Sequence, residues 1–293
     1  MNEYATLLLT EYARNLTASS KQALVQLASL ANETEDTGPR VVSLARGALK
    51  YLDDESCDVR VTVLKVLSAP NLLTRLVLST QDPDFPIDCL VRIFIARFDS
   101  FEAVADNAEK LWYDSSFHLK PEMAEPLIDK CVSGVAFVRE SAANATSAFV
   151  QEIVISMPVL LNKLDDVYTD LAQIRPAVYD EVGRVVMESR DEWARRSGVG
   201  LVLGRLAEHV RVGDAMRFIK LVAPHGLADR SAECRNGMRN AAVEVIRKHG
   251  KDIMPELLPF LENLSDATPN GGEHDNLRQG LVVLLGTLAQ YLD

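Results

Sequence analysis

Histidine and acidic residues are the first candidates for chemistry in this 293-residue chain. No two of the five histidines have the i, i+4 spacing that places two imidazoles on one helix face as metal ligands. The acidic pairs Asp53-Asp54 and Asp165-Asp166 lie in polar turns, without a partner that would make them a general acid and base. We therefore predict no catalytic, cofactor-binding or metal-binding residue, and no enzyme activity.

Three glycines, Gly198, Gly200 and Gly204, give part of a dinucleotide-binding fingerprint. The third glycine misses its place by one residue, no strand precedes the group, and the group lies inside a helical run. We interpret these glycines as sites of close helix packing. The four cysteines are isolated along the sequence, so we predict reduced, structural thiols.

Charge is unevenly distributed along the chain. The whole sequence carries a net charge of −11, yet residues 184–251 hold 14 Lys/Arg against 8 Asp/Glu. This segment is either a solvated face or a patch that contacts phosphate, RNA or an acidic protein. The basic residues off the apolar stripe are the candidate contacts: Arg190, Arg211, Arg217, Arg247, Lys248 and Lys251. Because no aromatic residues alternate with them, we predict backbone electrostatics without sequence-specific nucleic acid binding.

The apolar residues that position these side chains follow a helical period almost throughout. In residues 229–251, Met238, Ala242 and Val245 recur at three- and four-residue spacing, and Gly250 suits a left-handed helix stop. No segment alternates with a period of two, so we predict an all-α fold without a strand. No apolar run approaches the ~20 residues that cross a membrane, and Glu3 stands where a secretory signal needs positive charge. We expect a cytoplasmic protein.

An arginine recurs near the start of several helices. The positions are Arg60, Arg139, Arg195, Arg235 and Arg278, with Ala105 at the equivalent place of a helix that lacks the arginine. Successive positions are 45, 34, 56, 40 and 43 residues apart, which is typical of two-helix repeats, and the step of 56 indicates an insertion or a slipped pair. Because Arg235 and Arg278 lie at the inner edge of the apolar stripe, we predict that these arginines stack repeats by bonding a neighbour's carboxylate or carbonyls.

The pattern resembles HEAT repeats. It implies an α-solenoid of antiparallel helix pairs in which each pair buries its apolar stripe against the next, giving a superhelix. We predict one continuous solenoid over residues 1–293, with less regular repeats in 1–100 and better-defined repeats in 101–293. The sequence ends directly after a repeat helix, which suggests a fragment of a longer protein.

Longer strings carry a more specific resemblance. They are RPAVYDEVGRVVMESRDEWARRSGVGLVLGRLAEHV (175–210), ECRNGMRNAAVEVIRKHGKDIMPELLPFLENL (233–264) and LRQGLVVLLGTLAQYLD (277–293). These strings are similar to the general-control-nonderepressible translational activator family, HEAT-repeat sensors of stalled and collided ribosomes. The similarity places the chain just upstream of that family's segment resembling elongation factor 3.

The resemblance implies a ribosome-associated scaffold that activates the kinase of the initiation factor 2 alpha subunit during amino-acid starvation. The implied partners are the ribosome, through rRNA backbone or ribosomal proteins, and an ABC-type ATPase and the stress kinase through other parts of the full-length protein. No short family motif marks ribosome contacts here, so the candidate residues come from charge alone.

Two other classes stay open at this point. One is an unrelated HEAT adaptor, of the nuclear transport receptor or phosphatase scaffold type, that binds a basic protein segment through its acidic N-terminal part. The other is an enzyme built on an α-solenoid, for which the sequence offers no polar constellation.

Overall fold

Helices account for nearly all the secondary structure of the computed structural model, which describes residues 39–68, 72–79, 83–153, 157–269 and 271–292. They are α1 (Pro39–Lys50), α2 (Cys57–Leu67), α3 (Leu72–Ser79), α4 (Phe85–Ala96), α5 (Glu102–Asp114), α6 (Ala124–Cys131), α7 (Ala136–Glu152), α8 (Met157–Ala172), α9 (Trp193–Leu206), α10 (Val212–Leu221), α11 (Ala232–Ala267) and α12 (Asp275–Leu288). The predicted all-α class is confirmed. None of these helices is both long and apolar enough to cross a membrane.

The chain forms two compact units that meet in sequence between Leu127 and Ile128. In the first unit, aromatic rings join α4 to the end of α5. Phe94 packs on Trp112 with ring centroids 5.4 Å apart, and Trp112 packs on Phe117 at 5.7 Å. The single solenoid over residues 1–293, with its less regular first hundred residues, stays a prediction, and residues 1–38 lie outside the described ranges.

In the second unit, α9 packs against α7, α8 and α11, and its glycines decide how closely. A Cβ at Gly198 would lie 2.0 Å from the carbonyl oxygen of Cys131, and a Cβ at Gly200 would lie 3.2 Å from the backbone nitrogen of Met238. A Cβ at Gly204 would meet nothing within 4 Å. The interpretation as close helix packing is therefore confirmed for two of the three glycines.

Two short strands, β1 (Val178–Tyr179) and β2 (Val185–Met187), pair antiparallel between α8 and α9. The prediction that the sequence contains no strand is wrong here. Strands of two and three residues are too short to show alternation, while the valine-rich flanks and Gly183, with φ of 82°, are the local signals of a hairpin. The hairpin supplies the insertion inside the 56-residue step between Arg139 and Arg195.

Helix α11 is longer than the sequence pattern predicts. Gly250 does not stop it, because the helix continues to Ala267 and passes through Pro255 and Pro259. A Cβ at Gly250 would lie 2.6 Å from the Tyr291 ring. The glycine therefore makes room for an aromatic ring and does not provide a left-handed terminus.

Three of the repeated arginines close the turn that precedes their own helix. Arg60, Arg139 and Arg235 each donate from Nη1 to the backbone carbonyls six and five residues earlier, at 2.6 to 3.1 Å. Arg60 also bonds both carboxylate oxygens of Asp99, at 2.9 and 3.0 Å. Arg278 likewise donates to a carbonyl before its helix, that of Pro269.

In α9 the fully buried arginine is Arg196, one residue beyond the one the sequence pattern selected. Arg195 donates from Nε to the carbonyl of Val132 at 2.9 Å. Arg196 bonds both carboxylate oxygens of Asp229, at 2.8 and 3.0 Å, with the same Nε and Nη2 geometry that Arg60 shows toward Asp99. The general stacking role of the five predicted arginines stays a prediction.

Candidate interaction surface

The six basic residues predicted to contact an anionic partner are all exposed and all lie in the second unit. Arg190 follows β2, Arg211 precedes α10, Arg217 lies on α10, and Arg247, Lys248 and Lys251 lie on α11. The six residues are thus distributed over the hairpin, α10 and α11.

A surface cleft of about 450 Å³ brings two of them together. It is lined by Gly204, Arg205, Ala207, Glu208, Glu244, Arg247 and Lys248. The walls are the last turn of α9, the single helical turn Ala207–His209 that follows it, and the exposed face of α11. Arg190, Arg211, Arg217 and Lys251 do not line the cleft.

Arg205 is the cleft residue that the sequence analysis missed. Its side chain is exposed, and no ion pair or side-chain hydrogen bond involves its guanidinium within the described ranges. The signal that could have found it is its place in the last turn of α9, where the polar face of the helix reaches solvent. A guanidinium offers five N–H donors in a planar fork that fits phosphate or carboxylate oxygens.

The two predicted cleft cations have weak local partners. Arg247 Nη1 lies 2.6 Å from the Glu244 carboxylate one turn earlier on α11, and both side chains are more than half exposed. The Lys248 ammonium donates to the backbone carbonyl of Glu208. Exposed pairs of this kind contribute little free energy. An anion in the cleft could therefore recruit Arg247 without breaking a strong interaction.

The remaining candidates lie apart from the cleft. Arg217 donates to the side-chain oxygen of Asn162 on α8. Arg190 exchanges both backbone hydrogen bonds with Arg175 at the base of the hairpin, at 3.0 and 3.1 Å. Within the described ranges, neither Arg211 nor Lys251 forms an ion pair shown by the structure. The structure thus divides the predicted set into a cleft pair and dispersed surface charges.

A serine and a histidine lie close to the cleft, but their geometry is not that of a nucleophile and its base. Ser147 Oγ lies 2.8 Å from His209 Nε2, and the Glu208 carboxylate lies 3.3 Å from the same nitrogen. In a catalytic triad the serine and the acid contact different ring nitrogens, because the acid fixes the tautomer that accepts the serine proton. The contacts instead join α7 to the turn after α9.

A buried polar network lies behind the hairpin and was also missed from the sequence. The Tyr168 hydroxyl donates to Asp229 Oδ2 at 2.7 Å, beside the ion pair of Asp229 with Arg196. Arg196 also bonds Asp191, whose carboxylate accepts from Arg230 at 3.1 Å. These residues join α8, the end of the hairpin, α9 and the turn before α11. The network is saturated, since every buried side-chain N or O atom within the described ranges has a hydrogen-bond partner.

Electrostatics keeps this network ionised. Hydrogen bonds from Arg196 and then Arg230 lower the pKa of Asp191 to about 2. Burial alone would raise the pKa of Asp229, but bonds from Arg196, the Ser231 N–H and Tyr168 hold it below its usual value. Burial followed by the charge of Asp229 raises the pKa of Tyr168, so the phenol stays a proton donor.

The cysteines show no sign of reactivity. Cys89, Cys131 and Cys234 are buried, Cys57 is half-buried, and all four are free thiols. Burial raises the pKa of Cys131 to about 12 and that of Cys234 to about 11, which disfavours the thiolate. Within the ranges that the structure describes, no group of three His, Cys, Asp or Glu residues is placed to hold a metal ion.

The paired helices and the repeated arginines at their starts are those of a HEAT-repeat protein. The family model described as "Stalled ribosome sensor GCN1, HEAT repeats" matches residues 80–290, and the chain belongs to this family. It is 31% identical over 245 residues to the human "Stalled ribosome sensor GCN1", covering 83% of this chain and 9% of that protein. It is also 31% identical over 247 residues to the Saccharomyces cerevisiae "eIF-2-alpha kinase activator GCN1", covering 78% and 9%.

A plant relative extends the comparison. The Arabidopsis thaliana "Protein ILITYHIA" is 29% identical over 202 residues, covering 68% of this chain and 7% of that protein. The chain thus spans about a tenth of the length of the curated relatives it matches. The family resemblance predicted from the sequence is confirmed, which removes the alternative of an unrelated HEAT adaptor.

Proposed function

We propose that this segment is a non-catalytic, cytoplasmic scaffold of a ribosome-associated kinase activator, and that it contacts the ribosome through the cleft around Arg205, Arg247 and Lys248. Two relatives are named as a stalled-ribosome sensor and as an activator of the eIF-2-alpha kinase, which supplies the partner classes. The kinase and an ABC-type ATPase are reached through other parts of the full-length protein.

The observation that carries the ribosome contact is the grouping of three cations around one cleft in an otherwise acidic chain. A ribosome presents a dense array of phosphodiester charges to any protein on its surface. Each phosphate neutralised by a Lys or Arg releases condensed counterions, so binding weakens as salt is added. The cleft also contains Glu208 and Glu244. Their presence favours contact with one or two phosphates over a broad RNA surface.

The test is sedimentation of the 293-residue chain with purified ribosomes at 50 and 200 mM salt (about these values). One or two phosphate contacts predict roughly a 3- to 12-fold loss of affinity over that range. The variant Arg205→Glu/Arg247→Glu should not pellet with ribosomes at either salt concentration, while its circular dichroism spectrum stays that of the unmodified chain.

The matched control is Lys110→Glu/Lys120→Glu. It changes the net charge by the same amount at exposed positions of the first unit. The control should pellet as the unmodified chain does. Equal loss in both variants would mean that overall charge controls binding, and pelleting of the cleft variant would contradict the proposed site.

A further inference from the structure

Large apolar side chains are exposed chiefly on the β1–β2 hairpin and its flanks. Of the fifteen large apolar residues that are exposed within the described ranges, eight fall between residues 174 and 193. They are Ile174, Val178, Tyr179, Val182, Val185, Val186, Met187 and Trp193, with exposures from 44% to 75%. Scattered exposed apolar residues are ordinary, but a cluster on one projecting element indicates an interaction surface.

The hairpin is held firmly at its base. Arg175 and Arg190 exchange both backbone hydrogen bonds, and Asp191 just beyond them is bonded by Arg196 and Arg230. Arg230 also donates to the carbonyl of Ala172 at 2.9 Å, where α8 ends. A two-stranded hairpin has marginal stability alone in water. These anchors hold its strands in place and leave the outer part exposed.

The sheet has two strands, so each strand has one unpaired edge. Since Arg175 and Arg190 form a hydrogen-bonded pair, the backbone groups of the next residue along each strand point outward. On the β1 side that residue is Pro176, which has no N–H to offer. On the β2 side, Ser189 and Glu188 make no backbone hydrogen bond to β1, so their N–H groups remain available. The edge of β2 is therefore the one able to accept another strand.

The charges of the hairpin favour a protein partner over RNA. Residues 175–190 hold three arginines and three acidic residues, so the hairpin has no net attraction for phosphate. Tyr179 is its one aromatic residue, which gives little surface for stacking bases. The exposed valines and methionine instead match the apolar side chains of an extended peptide.

The paired arginines indicate which charge such a peptide carries. Arg175 and Arg190 lie directly opposite each other on one face of the hairpin, an arrangement in which like charges repel. Asp170 lies 4.0 Å from Arg175, and Glu188 lies two residues from Arg190 on the same face. Within the described ranges, Arg190 has no ion pair shown by the structure. An acidic side chain on a third strand beside β2 would lie next to Arg190.

We propose that the outer edge of β2 is a docking site for an extended protein segment, with alternating apolar residues and an acidic residue beside Arg190. The segment adds as a third strand, so its backbone bonds the outward groups of Ser189. Its apolar side chains cover the exposed face of the hairpin, and its carboxylate relieves the repulsion between the two arginines. This site is separate from the cleft and does not depend on ribosome binding.

A phage-displayed library of random twelve-residue peptides, panned against the 293-residue chain, provides the probe. We expect enriched sequences with alternating β-branched or aromatic residues and an aspartate or glutamate near one end. The synthetic form of an enriched peptide should slow hydrogen exchange at the outward amide of Ser189. It should leave exchange at the inward, already bonded amide of Arg190 unchanged.

Two proline variants give the matched comparison, because each removes an N–H that makes no bond between the strands. Ser189→Pro should lower the affinity for the peptide by at least about tenfold, since a backbone hydrogen bond to the peptide is lost. Ala177→Pro, on the opposite edge, should leave affinity within about twofold, because the Ala177 N–H makes no bond across the hairpin. Retained protection of the Arg190 amide reports that the hairpin itself is intact in each variant.

Arg190→Glu leaves the backbone unchanged and provides a second readout. This variant should bind the acidic peptide at least about tenfold more weakly and should select peptides with a basic residue at the same place. The proposal is overturned if panning yields no peptide whose binding is weakened by Ser189→Pro, or if both proline variants lower the affinity equally. It is also overturned if a single-stranded oligouridylate displaces the peptide.

Discussion

The second unit contains a buried group of charged residues around Arg196 and an exposed group of cations around the cleft. Arg196 is fully buried and bonds a carbonyl and two carboxylates, one of which, that of Asp229, also accepts from Tyr168. Arg205, nine residues later on the same helix, is exposed and lines a cleft. The difference arises because α9 buries one face against α7 and α11 and leaves the other in water.

The net charge of a basic segment does not show which of its cations can bind an outside anion. A net positive charge over residues 184–251 counts Arg196 and Arg205 equally, although the charge of Arg196 is already cancelled inside the protein. Only cations with weak partners remain available to an outside anion. The number of phosphate contacts is therefore smaller than the 14 arginines and lysines of this segment suggest.

The largest predicted effect comes from breaking the buried group. Asp229→Ala leaves Arg196 buried without its bidentate partner and removes the nearer of the two acceptors of the Tyr168 hydroxyl. We expect the free energy of unfolding to fall by about 3–5 kcal/mol, as for other buried pairs that lose one member. Urea denaturation followed by circular dichroism measures it. A loss below about 1 kcal/mol would mean that water or another acceptor replaces Asp229.

A second comparison lies along α9 itself, between two of its glycines. Gly198→Ala places a Cβ against the carbonyl oxygen of Cys131, so we expect a loss of about 1–3 kcal/mol or more. Gly204→Ala enters open space in a helix, and we expect a gain of up to about 1 kcal/mol from reduced backbone entropy in the unfolded chain. Urea midpoints that move in the same direction would contradict the packing of Gly198.

The helical class could be predicted because apolar residues recur with a helical period, and the family because long strings preserve its sequence. The choice between Arg195 and Arg196 could not, since adjacent residues differ by about 100° on a helix and the core boundary falls between them. The prediction that Gly250 ends the helix was wrong for a similar reason. Glycine suits both a helix terminus and a close approach, and only the position of Tyr291 distinguishes them.

The candidate site was harder to predict than the fold. Charge identified Arg247 and Lys248, but the cleft also needs Arg205, which lies about forty residues away in sequence and joins them only through the packing of α9 on α11. The hairpin was missed because pairing between strands of two and three residues leaves no periodic pattern.

Lowering the pH should distinguish the buried group around Arg196 from the exposed cleft group, by a smaller change in stability than the substitutions above. The pKa of Asp191 is about 2 in the folded chain, and the usual value in an unfolded chain is ~3.9. Because the folded pKa is depressed, the ionised carboxylate stabilises the fold above pH ~4, and this stabilisation is lost as pH falls toward about 2. Asp191→Asn should be less stable than the unmodified chain at neutral pH.

The same variant should lose less stability between pH 4 and 2 (about these limits), because it has one fewer carboxylate to protonate. Asp229 keeps part of the pH dependence, since its pKa is also lowered. Urea midpoints at several pH values across the window give the slope. An unchanged slope in Asp191→Asn would mean that the carboxylate of Asp191 does not contribute to acid unfolding.

The smallest effect is expected in the cleft, and it decides whether the two groups differ as described. Arg247→Ala removes an exposed pair with Glu244, for which we expect about 0.2–0.5 kcal/mol, and Arg205→Ala should change the free energy of unfolding by less than about 0.5 kcal/mol. Urea denaturation measures both, and added salt should reduce the Arg247 effect. A loss in Arg205→Ala comparable to that in Asp229→Ala would place Arg205 in the structural network. A near-zero loss leaves its guanidinium free for an outside anion, because a side chain that contributes nothing to folding has no intramolecular bond to give up on binding.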